Sequence, residues 1–74
     1  MDNRYFITKR DIKLFLGKDK TVDIKKDSFI IRNELNVYLP LENITYDWYI
    51  FPYIKKDLRI VNQEELFEAL DSDN

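Results

Sequence analysis

Five aromatic side chains fall within eight positions of one stretch, YDWYIFPYI at residues 46–54: Tyr46, Trp48, Tyr49, Phe51 and Tyr53. Such rings act by contact. Tyr and Trp join a large apolar body to a polar tip, which suits them to anchoring protein interfaces. Asp47 lies among them and could steer approach to a basic partner. Trp48, Tyr49, Phe51, Tyr53 and Asp47 are therefore the candidate partner-binding residues.

Bond-making chemistry has much weaker material. The hydroxyl nucleophiles are Ser28, Ser72, Thr8, Thr21 and Thr45, and the chain has no His to activate them. A single glycine cannot build a phosphate-cradling loop. There is no Cys, so no disulfide and no thiolate metal site. Glu64, Glu65 and Glu68 resemble a ligand set only until their places are read, with two at a helix start and one facing solvent. The expectation is a non-enzymatic chain without metal or cofactor.

The aromatic stretch needs an element to hold it. Pro52 argues against a helix interior, so residues 44–54 are predicted as a strand. Alternation then sends Tyr46, Trp48, Ile50, Pro52 and Ile54 to one face. Asp47, Tyr49, Phe51 and Tyr53 go to the other. Proline cannot donate a ladder bond, which favours an edge strand or a bulge. The Trp48/Ile50/Ile54 face is expected to pack on helices, leaving Tyr49, Phe51 and Tyr53 partly exposed. A free edge could also add a partner's strand.

Upstream, RYFI is a short apolar lead-in. Thr8 reads as the N-cap of a helix over residues 9–16, with Ile12, Phe15 and Leu16 on one face. Gly17 reads as its left-handed C′ residue. Ile12, Leu14 and Leu16 also alternate as a strand would, but the two stop signals favour helix. Residues 18–27 fit a hairpin or a second helix. TVDIK, SFIIR and LNVYL read as strands, joined by turns at Lys26-Asp27 and Asn33-Glu34. Pro40 closes the third, and PLENI is a loop. A turn at 55–57 leads to the strand LRIV. Asn62 and Glu65 form a capping box for a last helix with Leu66, Phe67 and Leu70 buried. Residues 71–74 read as a frayed polar tail. The predicted fold class is α+β: an antiparallel meander of about four to five short strands with one N-terminal and one C-terminal helix.

The segment ITKRDIKLFLG resembles the first helix of the helix-turn-helix in excisionase-like and MerR-like regulators, through Ile7, Thr8, Asp11, Ile12, Leu16 and Gly17. The likeness covers about ten residues. It departs after Gly17, where Lys18, Asp19 and Lys20 replace the expected apolar residue and recognition helix. It implies a DNA-binding alternative in which Lys9, Arg10, Lys13, Lys18 and Lys20 hold phosphates.

Composition bounds these readings. Seventy-four residues make one domain, and a chain this short buries only about 60% of its unfolded surface. The hydrophobic content of 45% is enough for a compact fold. No run approaches the roughly 18 apolar residues of a membrane span. MDNRYFITKRD has no signal-peptide character, so the expected location is cytoplasmic, in a bacterium or bacterial host cell. Residues 1–32 carry nine basic and five acidic side chains, and residues 33–74 carry three and nine. The halves are thus +4 and −6, and could attract opposite partners. Lys, Ile, Asn and Tyr make up 28 residues against one Ala and one Gly. That usage follows A/T-rich codons and suits a phage or mobile element of an A/T-rich bacterium. The sequence reading is therefore a small accessory protein that binds and blocks a host protein, such as a nucleic-acid-handling or defence enzyme. A homodimer or a self-assembling subunit is the further alternative.

Overall fold

The computed structural model of the chain describes residues 4–72. It is α+β with antiparallel strands, as expected, but richer in strand and differently placed in helix. Seven strands form among the described residues: β1 (Tyr5–Thr8), β2 (Ile12–Gly17), β3 (Lys20–Ile24), β4 (Phe29–Arg32), β5 (Asn36–Leu39), β6 (Ile44–Asp47) and β7 (Leu58–Ile60). Five make an antiparallel sheet in the order β6-β5-β4-β1-β7, and β2 and β3 make a separate hairpin. Between β6 and β7 runs a helical segment. It consists of a 3-10 turn Trp48–Ile50, the short helix α1 (Phe51–Ile54) and a second 3-10 turn Lys55–Asp57. Helix α2 (Gln63–Ser72) follows β7.

The predicted N-terminal helix is a strand. The period-two set Ile12, Leu14 and Leu16 turns inward, while Phe15, which a helix would have buried, is 75% exposed. Residues 18–27 complete the hairpin, with the turn at Lys18 and Asp19. Gly17 is not left-handed. It sits beside a register shift between Phe15 and Gly17, where a bulge breaks the ladder. Thr8 caps nothing. It lies 1% exposed at the end of β1, where its hydroxyl donates to the Lys25 carbonyl at 2.7 Å and accepts from the Ser28 N–H at 2.8 Å. The helix signals were real polar needs, but tertiary partners across the chain met them.

Register sorts the sheet's faces, since directly paired residues point the same way. Phe6 pairs with Ile30 and Ile60, Thr8 with Leu58, Arg32 with Val37, and Val37 with Tyr46. On this front face Phe6, Ile30, Val37, Leu39 and Leu58 join Ile12, Val22 and Ile24 of the hairpin and Ile50 and Ile54 of the helical segment in one buried cluster. Each such side chain contributes about 1.5–3 kcal/mol by leaving water, and packing of this kind must stabilise a chain with no disulfide.

The back face carries Tyr5, Ile7, Phe29 and Ile31. Arg59, paired with Ile7 there, reaches Glu65 of α2 at 3.7 Å, which sets the first turn of α2 on that side. The Asn62 carboxamide oxygen accepts from the Glu65 N–H at 2.9 Å, the expected cap. Leu66 is buried, Ala69 and Leu70 are half-buried, and Phe67 is 51% exposed. The buried stripe is therefore i, i+3, i+4 from Leu66, and Phe67 falls outside it. Asp71 and Ser72 of the expected tail lie in the last turn of α2, and residues 73–74 lie outside the described residues.

The turns follow side-chain chemistry. The Asn33 carboxamide oxygen accepts from the Leu35 and Asn36 N–H groups, both at 2.8 Å. Asp27 and Asn43 take left-handed φ values of 65° and 58°. Asn43 also accepts from the Tyr38 hydroxyl at 3.1 Å. No helix among the described residues is long and apolar enough to cross a membrane.

Candidate interaction surface

The aromatic stretch leaves β6 at Asp47 and winds into the helical segment, so the predicted strand is overturned for residues 48–54. Pro52 lies in the first turn of α1, where its missing N–H is no loss and its fixed φ suits a helix. Helical spacing then replaces alternation. Ile50 and Ile54, four residues apart, are 2% and 0% exposed. Trp48, Pro52 and Tyr53 turn outward, with Trp48 59% and Tyr53 58% exposed. Trp48 therefore does not pack with Ile50 and Ile54 as alternation required.

The other three aromatics are held. Tyr46 is half-buried, with its hydroxyl 3.5 Å from the Asp23 N–H, at the long limit of a hydrogen bond. Tyr49 is half-buried and edge-on to Trp48, with ring centres 6.3 Å apart. Its hydroxyl accepts from the Lys20 ammonium at 3.0 Å, which ties the tip of the hairpin to the helical segment. That ammonium lies 5.6 Å from the ring centre, nearly collinear beyond the hydroxyl, so it is hydrogen-bonded and not stacked on the ring face. The bond to Tyr49, then the nearby phenol and the Asp47 carboxylate, hold the Lys20 amine above its ordinary value of 10.5. Phe51 is half-buried, tilted against Phe6 at 5.4 Å between ring centres, with the Arg32 guanidinium 4.2 Å above its own ring.

The free edge of β6 runs beside this surface. Asp47 is exposed on that strand, and Glu42 is exposed in the turn before it. The Asp57 carboxylate receives Arg10 at 3.1 Å and is only 14% exposed. Leu41 and Ile44, 37% and 40% exposed, lie at the start of the edge. About 13 Å of strand, at roughly 3.3 Å per residue, separates Ile44 from Trp48. Sequence reasoning missed both. Ile44 pairs with the buried Leu39 and looks like a core residue until β6 is known to be an edge.

The five candidate phosphate-holding cations do not share a helix face. Lys9 and Arg10 sit in the β1–β2 connection, and Arg10 is committed to Asp57. Lys13 stands opposite Asp23 across the hairpin. Lys18 and Lys20 lie at its far tip, where Lys20 is held by Tyr49. The segment resembling the first helix of a helix-turn-helix forms the end of β1, the β1–β2 connection and β2, the first strand of this hairpin.

Comparison with protein-family models, with curated proteins and with solved structures gives no match.

Proposed function

We propose that this chain is a non-enzymatic protein-binding module that works by covering part of its partner's surface. One observation carries the reading. Trp48 and Tyr53 are 59% and 58% exposed on a helical segment whose Ile50 and Ile54 are 2% and 0% exposed. Large aromatics left in water by a well-anchored element suit interface anchors, because little entropy is lost when they are buried. Tyr49 flanks them, Asp47 and Glu42 supply acids at the rim, and the β6 edge offers unpaired backbone groups. Phe51 leaves the anchor set and becomes a support, since its ring rests on Phe6. The A/T-rich residue usage supports a phage or mobile-element accessory role with a host nucleic-acid-handling or defence enzyme as target.

The test is affinity capture from a nuclease-treated lysate of a low-GC bacterium. Wild type is compared with a Trp48→Ala/Tyr53→Ala variant of unchanged circular dichroism. A host protein held by wild type and lost by the variant supports the reading. Retention that depends on nucleic acid would move attention to Lys9, Lys13 and Lys18. The β6 edge also favours a second reading, self-association. In that case size-exclusion chromatography gives a dimer that Ile44→Lys dissociates.

A further inference from the structure

A second surface lies on the other flank of the helical segment. An open groove of about 440 Å³ has an apolar floor of Phe6, Phe51, Leu58 and Ile60. Its rim carries Arg32, Lys55 and Lys56, and no acidic residue lines it. Phe6 and Leu58 belong to the buried cluster, so the floor is fixed. Ile60, on the edge strand β7, is 58% exposed above it.

None of Arg32, Lys55 and Lys56 is ion-paired among the described residues, whereas Arg10 and Arg59 each have a carboxylate. Arg32 is also preoriented. Its guanidinium stacks 4.2 Å above Phe51, which leaves its N–H donors without a carboxylate at the groove. A guanidinium fork held in this way suits a carboxylate, and two ammonium groups beside it add positive potential. A volume of this size, mostly apolar lining and a few convergent polar groups are the marks of a small-ligand site.

We propose that this groove binds a small organic carboxylate with an apolar body. The body lies on Phe6, Phe51, Leu58 and Ile60, and the carboxylate meets Arg32 with Lys55 and Lys56 behind it. The site stands apart from Trp48 and Tyr53 and does not depend on the protein-binding reading.

The experiment is an NMR titration of the full, ¹⁵N-labelled chain with three probes. These are 4-phenylbutyrate, the uncharged 4-phenylbutanol with a comparable body, and acetate, which has the charge alone. Saturable shifts at the amides of Phe6, Arg32, Lys55 and Ile60 are expected with phenylbutyrate. Its affinity should exceed that of the alcohol by about ten-fold, the scale of one charge-assisted contact. Acetate should leave those amides unmoved at the same concentration. Arg32→Gln should weaken phenylbutyrate binding by about ten-fold. Should Arg32→Gln unfold, the exposed pair Lys55→Gln/Lys56→Gln decides, with a loss of a few-fold expected. The proposal is overturned if the alcohol binds as well as the carboxylate. It is also overturned if the folded charge variants bind like wild type, or if no shift saturates. Binding of an acidic peptide with phenylbutyrate silent would likewise overturn it and make the groove part of a protein interface.

Discussion

The Thr8 hydroxyl accepts from the Ser28 N–H at 2.8 Å and donates to the Lys25 carbonyl at 2.7 Å. The backbone of the same residue pairs with its surroundings through Thr8 N–H to the Ser28 carbonyl and Asp27 N–H to the Thr8 carbonyl, both at 3.0 Å. One buried side chain thus fastens the β3–β4 turn to the end of β1. Thr8→Val keeps the shape and removes both side-chain bonds, leaving a buried N–H without a partner. The expected cost is about 2–4 kcal/mol, which lowers Tm by more than about 10 °C in a domain of this size. Thr8→Ser keeps the hydroxyl and should lose less than half as much. Thermal unfolding followed by circular dichroism distinguishes them, and equal losses would refute the hydrogen-bond account.

Phe51 and Trp48 stand three residues apart in the same segment and should behave oppositely. Phe51 packs on Phe6 and carries Arg32 on its ring. Phe51→Ala should cost about 2–3 kcal/mol, below the range for a fully buried ring because Phe51 is half-exposed. Trp48→Ala and Tyr53→Ala remove side chains that are mostly in water and should stay within about 0.5 kcal/mol of wild type. Urea titrations give the comparison. A large loss at Trp48 would mean that it serves the fold and would remove it from the interaction surface.

What could be read in the sequence divides along the same line. The strands LNVYL, SFIIR and LRIV were legible from their β-branched and aromatic content and the turns that bound them, and Val37, Leu39, Ile30 and Leu58 are buried, but Leu35, alternating with Val37, is 78% exposed and Ile60, alternating with Leu58, is 58% exposed. The α2 cap at Asn62 was legible because its partner lies three residues away. Thr8 was misread because its partners, Lys25 and Ser28, lie 17 and 20 residues away. A hydroxyl before a run of charged and apolar residues looks the same whether it caps a helix or ties a turn. Pro52 was misread because a proline excludes a helix interior but not its first turn, and no local signal told the two apart. The aromatic cluster itself was legible. Which of its members face water was not, because that depends on whether the period is two or 3.6. Ile60 and the Arg32 groove were invisible, since they require β7 to be the sheet's edge.

The cap of α2 offers a local test. Asn62 supplies the acceptor for the Glu65 N–H, and Leu66 is 1% exposed one residue later. Asn62→Ala should cost about 1 kcal/mol. Amide hydrogen exchange should quicken at Glu65 and the first turn of α2, with little change in the hairpin. A uniform rise in exchange would mean that α2 unfolds only with the whole domain.

Lys20 gives the pH dependence. Its amine is held above the ordinary 10.5, first by the hydrogen bond to the Tyr49 hydroxyl and then by the phenol and Asp47 nearby. A raised value means that the folded state holds the proton more tightly than the unfolded state. The contribution of the contact is therefore complete below pH 10.5 and fades as pH rises through the raised value. The group is open to solvent, so the effect is small and weakens with salt. Tyr49→Phe removes the acceptor and keeps the ring. The Lys20 side-chain resonances, followed by NMR, should titrate at lower pH in Tyr49→Phe than in wild type. If the two curves coincide, the ammonium is not bound to Tyr49 in solution, and the hairpin tip is free of the helical segment that carries Trp48 and Tyr53.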